Sequence, residues 1–221
     1  TSTTAPIFGL GATTTFDAQD LPSLTGVNGH AVKASVAISS GPGLGYPRIS
    51  YLRLDGWIEL ACWLQRQGLN VVLTGGPDAD ERAYAEEIAR QAQVVNLAGE
   101  LSLAETAALV GRAKLFVGPD TAVTHIAAAT GIPTIALFGP SNPVKWGPWP
   151  RDWKRPESPW PWRGGGRQKN VQLIQGPGDC VPCLLEGCDR HTGSNSLCLQ
   201  QISTATLIDA ARAMLTDQPA R

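Results

Sequence analysis

From residue 34 to residue 139, short apolar runs alternate with amphipathic stretches. The apolar pieces are Ala34–Ile38, Asn70–Thr74, Val94–Leu97, Leu115–Val117 and Thr134–Phe138, each of strand length and rich in β-branched residues. Between them Leu54–Arg66, Asp80–Gln91, Leu103–Gly111 and Ala122–Ala129 carry apolar positions three and four apart, the helical period. Ser102 and Glu105 stand at capping-box spacing ahead of the third helix, and Leu103, Ala107 and Val110 are its expected buried stripe. Strands without a polar face need helical cover on both sides of their sheet. The alternation therefore predicts βαβ units and a parallel sheet between helices, a Rossmann-like α/β sandwich.

Both flanks break this rhythm. Residues 1–33 are rich in Thr, Gly, Ser and Asp with no sustained period, and read as an arm or linker remnant ahead of a domain spanning 34–221. Residues 140–170 crowd prolines with Trp146, Trp149, Trp153, Trp160 and Trp162 and end on the run Gly164, Gly165, Gly166, the composition of a long loop or lid. Val171–Ile174 can return as a strand, a cysteine-rich turn occupies 180–198, and a last amphipathic helix is expected over 202–216. No internal repeat is visible.

Composition narrows the classes. The 221 residues carry 18 Lys and Arg against 19 Asp and Glu, a formal charge of −1, so no basic footprint invites nucleic acid or an anionic lipid surface. With 43% hydrophobic and 17% charged residues the chain can bury a core. No run approaches the roughly 20 apolar residues that a transmembrane helix requires, and the first 30 residues lack a signal-peptide pattern. The expectation is a soluble, cytoplasmic protein.

Ligands of open parallel sheets gather at the carboxyl ends of strands, where helix N-termini offer N–H groups to anions. Three strand ends qualify. After Ile38 come Ser39, Ser40, Gly41, Pro42 and Gly43, a loop that suits a phosphate or a plain turn. After Leu73 come Thr74, Gly75, Gly76, Pro77 and Asp78; Gly76 permits close approach, and Asp78 or Glu81 can accept from ribose hydroxyls, or Asp78 can simply cap the next helix. The third end, Gly118, Pro119, Asp120, Thr121, Ala122, Val123, Thr124 and His125, is the richest. Thr121 and the first N–H groups of the helix can hold a diphosphate, and Asp120 can orient a donor hydroxyl or cap the helix. His125 lies one turn beyond Thr121, facing the same cleft. Alone it would read as a packed core histidine; beside Asp120 and Thr121 it reads as a ligand contact.

The run LSLAETAALVGRAKLFVGPDTAVTHIAAATGIPTIALFGPSNPVKWGP, with VAISSGPG and LRLDGWIELACWLQRQGLNVVLTGGPDADE before it, resembles the family 9 glycosyltransferases, the lipopolysaccharide heptosyltransferases. The resemblance implies the C-terminal half of a two-domain GT-B enzyme, which grips a nucleotide-sugar donor, typically ADP-heptose. The N-terminal half supplies the catalytic base and the site for a lipopolysaccharide-type acceptor. Carried over by motif position, Asp120, Thr121, Ala122 and His125 contact donor phosphates or sugar, Ser39 and Ser40 lie in the phosphate loop, and Asp78 or Glu81 meets ribose or adenine. Arg48 is the candidate diphosphate cation, with Lys145 assisting, so no metal cofactor is required for the transfer.

The sequence departs from the family in places. Ala122 stands where relatives carry Gly, which would crowd a phosphate, and Arg48 sits in a displaced register. Only about 35 residues precede the donor domain, too few for an acceptor domain of roughly 100 residues or more. The expectation is an incomplete enzyme, the remainder of which would also supply any peripheral membrane contact. Two other readings stand beside it: a noncatalytic interaction module with a vestigial pocket, and another GT-B transferase or epimerase using a UDP-sugar.

Cys62 falls within a helix and reads as a buried thiol. Cys180, Cys183, Cys188 and Cys198 form a CxxC pair followed by two more cysteines, four soft ligands that can close a structural zinc site, with His191 as a spare. Free or oxidised thiols are the alternative. Family 9 members with a similar cysteine-rich turn point to a structural role.

Overall fold

A computed structural model of the protein describes residues 36–39, 53–185, 187–191 and 194–217. Among the described residues seven strands form one sheet: β1 (Val36–Ser39), β2 (Val71–Thr74), β3 (Val95–Asn96), β4 (Leu115–Pro119), β5 (Thr134–Phe138), β6 (Gly166–Gln168) and β7 (Val171–Gln175). Their order is β3-β2-β1-β4-β5-β7-β6, every pairing parallel except that of β6 with β7. The direction of winding reverses between β1 and β4, so the doubly wound sheet opens a crevice at their carboxyl ends.

Alternate strand residues divide between the two faces. Val36, Ile38, Val71, Leu73, Leu115, Val117, Ile135 and Leu137 join one large core. It is closed by helices α1 (Leu54–Arg66), α2 (Ala79–Ala92) and α7 (Thr204–Thr216), through side chains such as Trp57, Leu60, Ile88 and Leu207. Ala37 and Phe116 point the other way, into a cluster with Val110, Ala127 and Ile132. Helices α3 (Leu103–Gly111) and α4 (Ala122–Thr130) cover that face. Both faces of β1, β2, β4 and β5 are buried, as continuous apolar strands demand.

The predicted helices and strands form, with local differences. β3 shrinks from the expected Val94–Leu97 to two residues, and β2 begins at Val71. In α3 the capping box of Ser102 and Glu105 is present, yet the buried side is Thr106, Ala108, Leu109 and Val110, while Leu103 is 52% exposed. The buried side is thus shifted from the expected stripe toward the C-terminal half of the helix. The final helix starts at Thr204, because the Ser203 hydroxyl accepts from the Thr206 amide and fixes the N-terminus there.

Residues 140–170, expected as a loop, hold the single turn α5 (Pro143–Trp146) and the edge strand β6. Trp160 is buried and donates from Nε1 to the Pro148 carbonyl at 2.9 Å, which pins the proline-rich stretch to the sheet. Another short helix, α6 (Leu197–Gln200), precedes α7. Among the described residues no helix is long and apolar enough to cross a membrane.

Candidate functional site

The order β2-β1-β4 sets side by side the three strand ends picked out by their small and polar residues. Ser39 ends β1, in register with Thr74 of β2, and Ile38 pairs with Val117 of β4. The crevice between β1 and β4 is thus bordered by Ser39 on one side and the segment 118–121 on the other. The hydroxyl of Ser39, Ser40 and Arg48 lie outside the described residues.

At the end of β4 the chain turns sharply into α4. Gly118 is required there: a Cβ would come within 2.7 Å of the Phe116 ring and 3.1 Å of the Thr124 hydroxyl. Thr121 takes the N-cap position in extended conformation, and its side chain makes no capping hydrogen bond to the helix. Its carbonyl accepts from the amides of Thr124 and His125 at 3.1 and 3.3 Å. The first amides of α4, at Ala122 and Val123, precede any intrahelical partner and face the crevice end. A helix beginning this way offers N–H groups and the positive end of its dipole to an anion. Ala122 is exposed at the first helical position.

Asp120 and His125 flank this N-terminus. His125 Nε2 lies 3.6 Å from Asp120 Oδ1, with side chains 37% and 22% exposed. Both retain solvent-facing atoms, so the pair presents a carboxylate acceptor and an imidazole to one bound group. Sequence reasoning overlooked Thr124. It is fully buried, donates to the Pro119 carbonyl at 2.5 Å and lies 3.4 Å from the Thr121 hydroxyl. Its signal was the threonine three residues after Thr121, on the side of the helix that Gly118 leaves open.

At the second strand end Asp78 takes the capping role that the sequence also allowed. Asp78 Oδ1 accepts from the amides of Asp80 and Glu81 at 3.0 and 3.2 Å, the N-cap of α2. Its residue is exposed, so Oδ2 still faces solvent. Glu81 turns inward and is 6% exposed. Its carboxylate lies beneath the turn, where a Cβ on Gly75 or Gly76 would come within 2.8 or 2.9 Å of its oxygens. Burial raises the Glu81 pKa, the Gly76 amide donating to it opposes that, and the negative charge of Asp78 adds to the rise. Glu81 therefore supports the Gly75–Gly76 turn from below, and Asp78 is the better placed of the two to reach a ligand.

Lys145 stands on exposed α5 with its ammonium 4.9 Å from the centre of the Trp146 ring. The cysteines Cys180, Cys183, Cys188 and Cys198 are all unpaired. Among the described residues no three His, Cys, Asp or Glu side chains converge into a set that could hold a metal ion. Cys188 Sγ instead accepts the Leu197 amide at 3.4 Å, at the start of α6. Cys198 is buried, which pushes its thiol up to about 11.

A doubly wound sheet with a helix N-terminus, an acidic residue and a histidine at its switch point is an α/β unit of the kind that takes ligands at that crevice. The sequence model of glycosyltransferase family 9 (heptosyltransferase) matches residues 53–155, which include the Asp120–His125 element. Over that stretch, just under half of its length, the chain is similar to this family. It is 46% identical to lipopolysaccharide heptosyltransferase 3 of Escherichia coli over 89 residues, 39% of this chain and 26% of that protein. Over 108 residues it is 37% identical to lipopolysaccharide heptosyltransferase 2 of Salmonella typhimurium, 47% of this chain and 29% of the relative. Among solved structures, E. coli ADP-heptose lipopolysaccharide heptosyltransferase II superposes with a TM-score of 0.64 at 23% identity, over 85% of this chain and 48% of that one. E. coli heptosyltransferase WaaC with ADP gives 0.58 at 19% identity, over 89% and 47%. The fold is thus that of one half of a GT-B heptosyltransferase. The chain spans between a quarter and a third of the two curated relatives and about half of the solved ones.

Proposed function

We propose that this unit binds the nucleotide diphosphate sugar of a heptosyl transfer, an ADP-heptose donor, on behalf of an enzyme that glycosylates a lipopolysaccharide-core acceptor. The observation that carries the reading is the Asp120, Thr121 and His125 constellation around the N-terminus of α4, at the switch point of the sheet. Adenine as the base is supported by the solved relatives, one of which is described with ADP.

The chemistry follows from charge. As the anomeric carbon is attacked, negative charge grows on the departing diphosphate, and preorganised donors aimed at it lower the barrier. Here those donors are the Ala122 and Val123 amides and the dipole of α4, with the His125 imidazole beside them. Asp120 accepts from donor hydroxyls and holds the sugar in register. The Gly75–Gly76 turn and Asp78 form the ribose side of the site, one strand removed from the phosphates. The base that deprotonates the acceptor hydroxyl is assigned to the acceptor half of the enzyme, across the crevice.

Calorimetric titration with ADP, UDP and an ADP-sugar tests the reading. ADP is expected to bind in preference to UDP and to compete with the ADP-sugar. Equal or stronger UDP binding would redirect the proposal to another nucleotide-sugar, and no nucleotide binding by the folded chain would overturn it.

A further inference from the structure

Thr124 has one hydroxyl proton and two oxygen neighbours. The Pro119 carbonyl can only accept, so the 2.5 Å contact between them takes the Thr124 proton. The other neighbour, Thr121 Oγ1 at 3.4 Å, therefore receives no proton from Thr124 and keeps its own to donate to an anion. This arrangement exists because Gly118 has no Cβ: an added methyl would sit 3.1 Å from the Thr124 hydroxyl. One fully buried hydroxyl therefore ties the carbonyl that ends β4 to the first turn of α4.

We infer that Thr124 is a positioning residue, which holds the Pro119–Thr121 turn so that the Thr121 hydroxyl proton and the first amides of α4 are presented to the diphosphate. It touches no ligand itself; it acts through Pro119 and Thr121. A change in its hydroxyl alters how phosphate is held and leaves the adenosine side, which rests on β2, unaffected. The inference rests on the donor-binding reading above.

The test uses Thr124→Val, which keeps the shape and removes the hydroxyl, and Thr124→Ser, which keeps the hydroxyl and loses a methyl. ADP and adenosine are titrated into each, and thermal melts are recorded in parallel. Thr124→Val should weaken ADP by about three- to tenfold, the range of one hydrogen bond, with adenosine affinity unchanged. Thr124→Ser should melt lower than the parent but bind ADP as the parent does. If Thr124→Val does not fold, Thr124→Cys asks the same question with a poor donor, and should bind ADP more weakly than Thr124→Ser. ADP affinity unchanged by loss of the hydroxyl, or lowered as much by Thr124→Ser, would overturn the positioning role and leave Thr124 as packing. Adenosine weakened in step with ADP would do the same. Failure of the parent to bind ADP would overturn the donor-site reading and this inference with it.

Discussion

The His125 imidazole lies 3.6 Å from the Asp120 carboxylate across the first turn of α4. Asp120 precedes the N-cap Thr121 and His125 follows it within the first turn, so both border the N-terminus of α4. If Asp120 holds the donor, Asp120→Ala removes a charge-assisted hydrogen bond worth about 1.5–3 kcal/mol of binding. Asp120→Asn, which keeps an acceptor without the charge, should lose less. Titration of both folded variants with the ADP-sugar checks the order; equal affinity in all three proteins would take Asp120 out of the site.

Glu81 supplies a pH prediction of unusual sign for a carboxylate. Its pKa is raised in the folded protein, first by burial, so folding favours its protonated form. The stability this contributes is complete below the ordinary carboxylate pKa and is lost as pH rises through the raised folded value. At neutral pH the buried charge is a cost. Glu81→Gln, whose amide oxygen can still accept from Gly76, should therefore raise the melting temperature near pH 7 and lose that advantage on acidification toward pH 4. Melting curves across this range decide it. A melting temperature that falls at every pH would mean that both carboxylate oxygens are needed beneath the Gly75–Gly76 turn.

The cysteine-rich turn yields a reactivity order. Cys180 and Cys188 are exposed and Cys198 is buried, its thiol pushed up to about 11. Because the thiolate is the reacting species, an alkylating reagent at pH 8 should modify Cys180 and Cys188 first and Cys198 last. Peptide mass spectrometry after timed quenching reads the order. Simultaneous protection of all four, lifted by a chelator, would instead support the zinc site that the CxxC spacing prompts.

The elements of the sheet were legible in the sequence because buried parallel strands have no polar face to blur them. Thr134–Phe138 is a strand with the expected limits, and Leu54–Arg66 and Leu103–Gly111 are helices with the expected limits. The Asp120–His125 element was legible too, since a strand, a Gly-Pro turn and a polar helix start leave little local choice. What the sequence hid depends on contacts between distant segments. Asp78 and Glu81 looked like rivals for one ligand until packing turned Glu81 under Gly75 and Gly76. Trp160 looked like any other tryptophan of a proline-rich loop, and its burial follows from packing against Phe138, Val171 and Leu173 of the sheet. Thr124 lay inside the Gly118–His125 run with no role of its own; that role appears only from its contact with the Pro119 carbonyl.

Gly118 offers the sharpest test of the turn that builds the site. Its surroundings are set by Phe116, two residues earlier on the same strand and fully buried. A Cβ at position 118 would come within 2.7 and 2.8 Å of two Phe116 ring carbons, and a ring enclosed by Val110, Ala113, Ala127 and Ile132 has nowhere to retreat. Gly118→Ala should therefore destabilise the protein by about 1–3 kcal/mol, the usual cost of overpacking a filled core. If the clash with the ring is the cause, Phe116→Leu should offset it: alone it leaves a cavity and lowers stability, yet combined with Gly118→Ala the loss should be smaller than the sum of the two. Denaturant melts of the two single variants and the double variant give the coupling directly. Strict additivity would shift the cause to the Thr124 hydroxyl, 3.1 Å from the same added carbon, and Gly118→Ala would then impair ADP binding as Thr124→Val does.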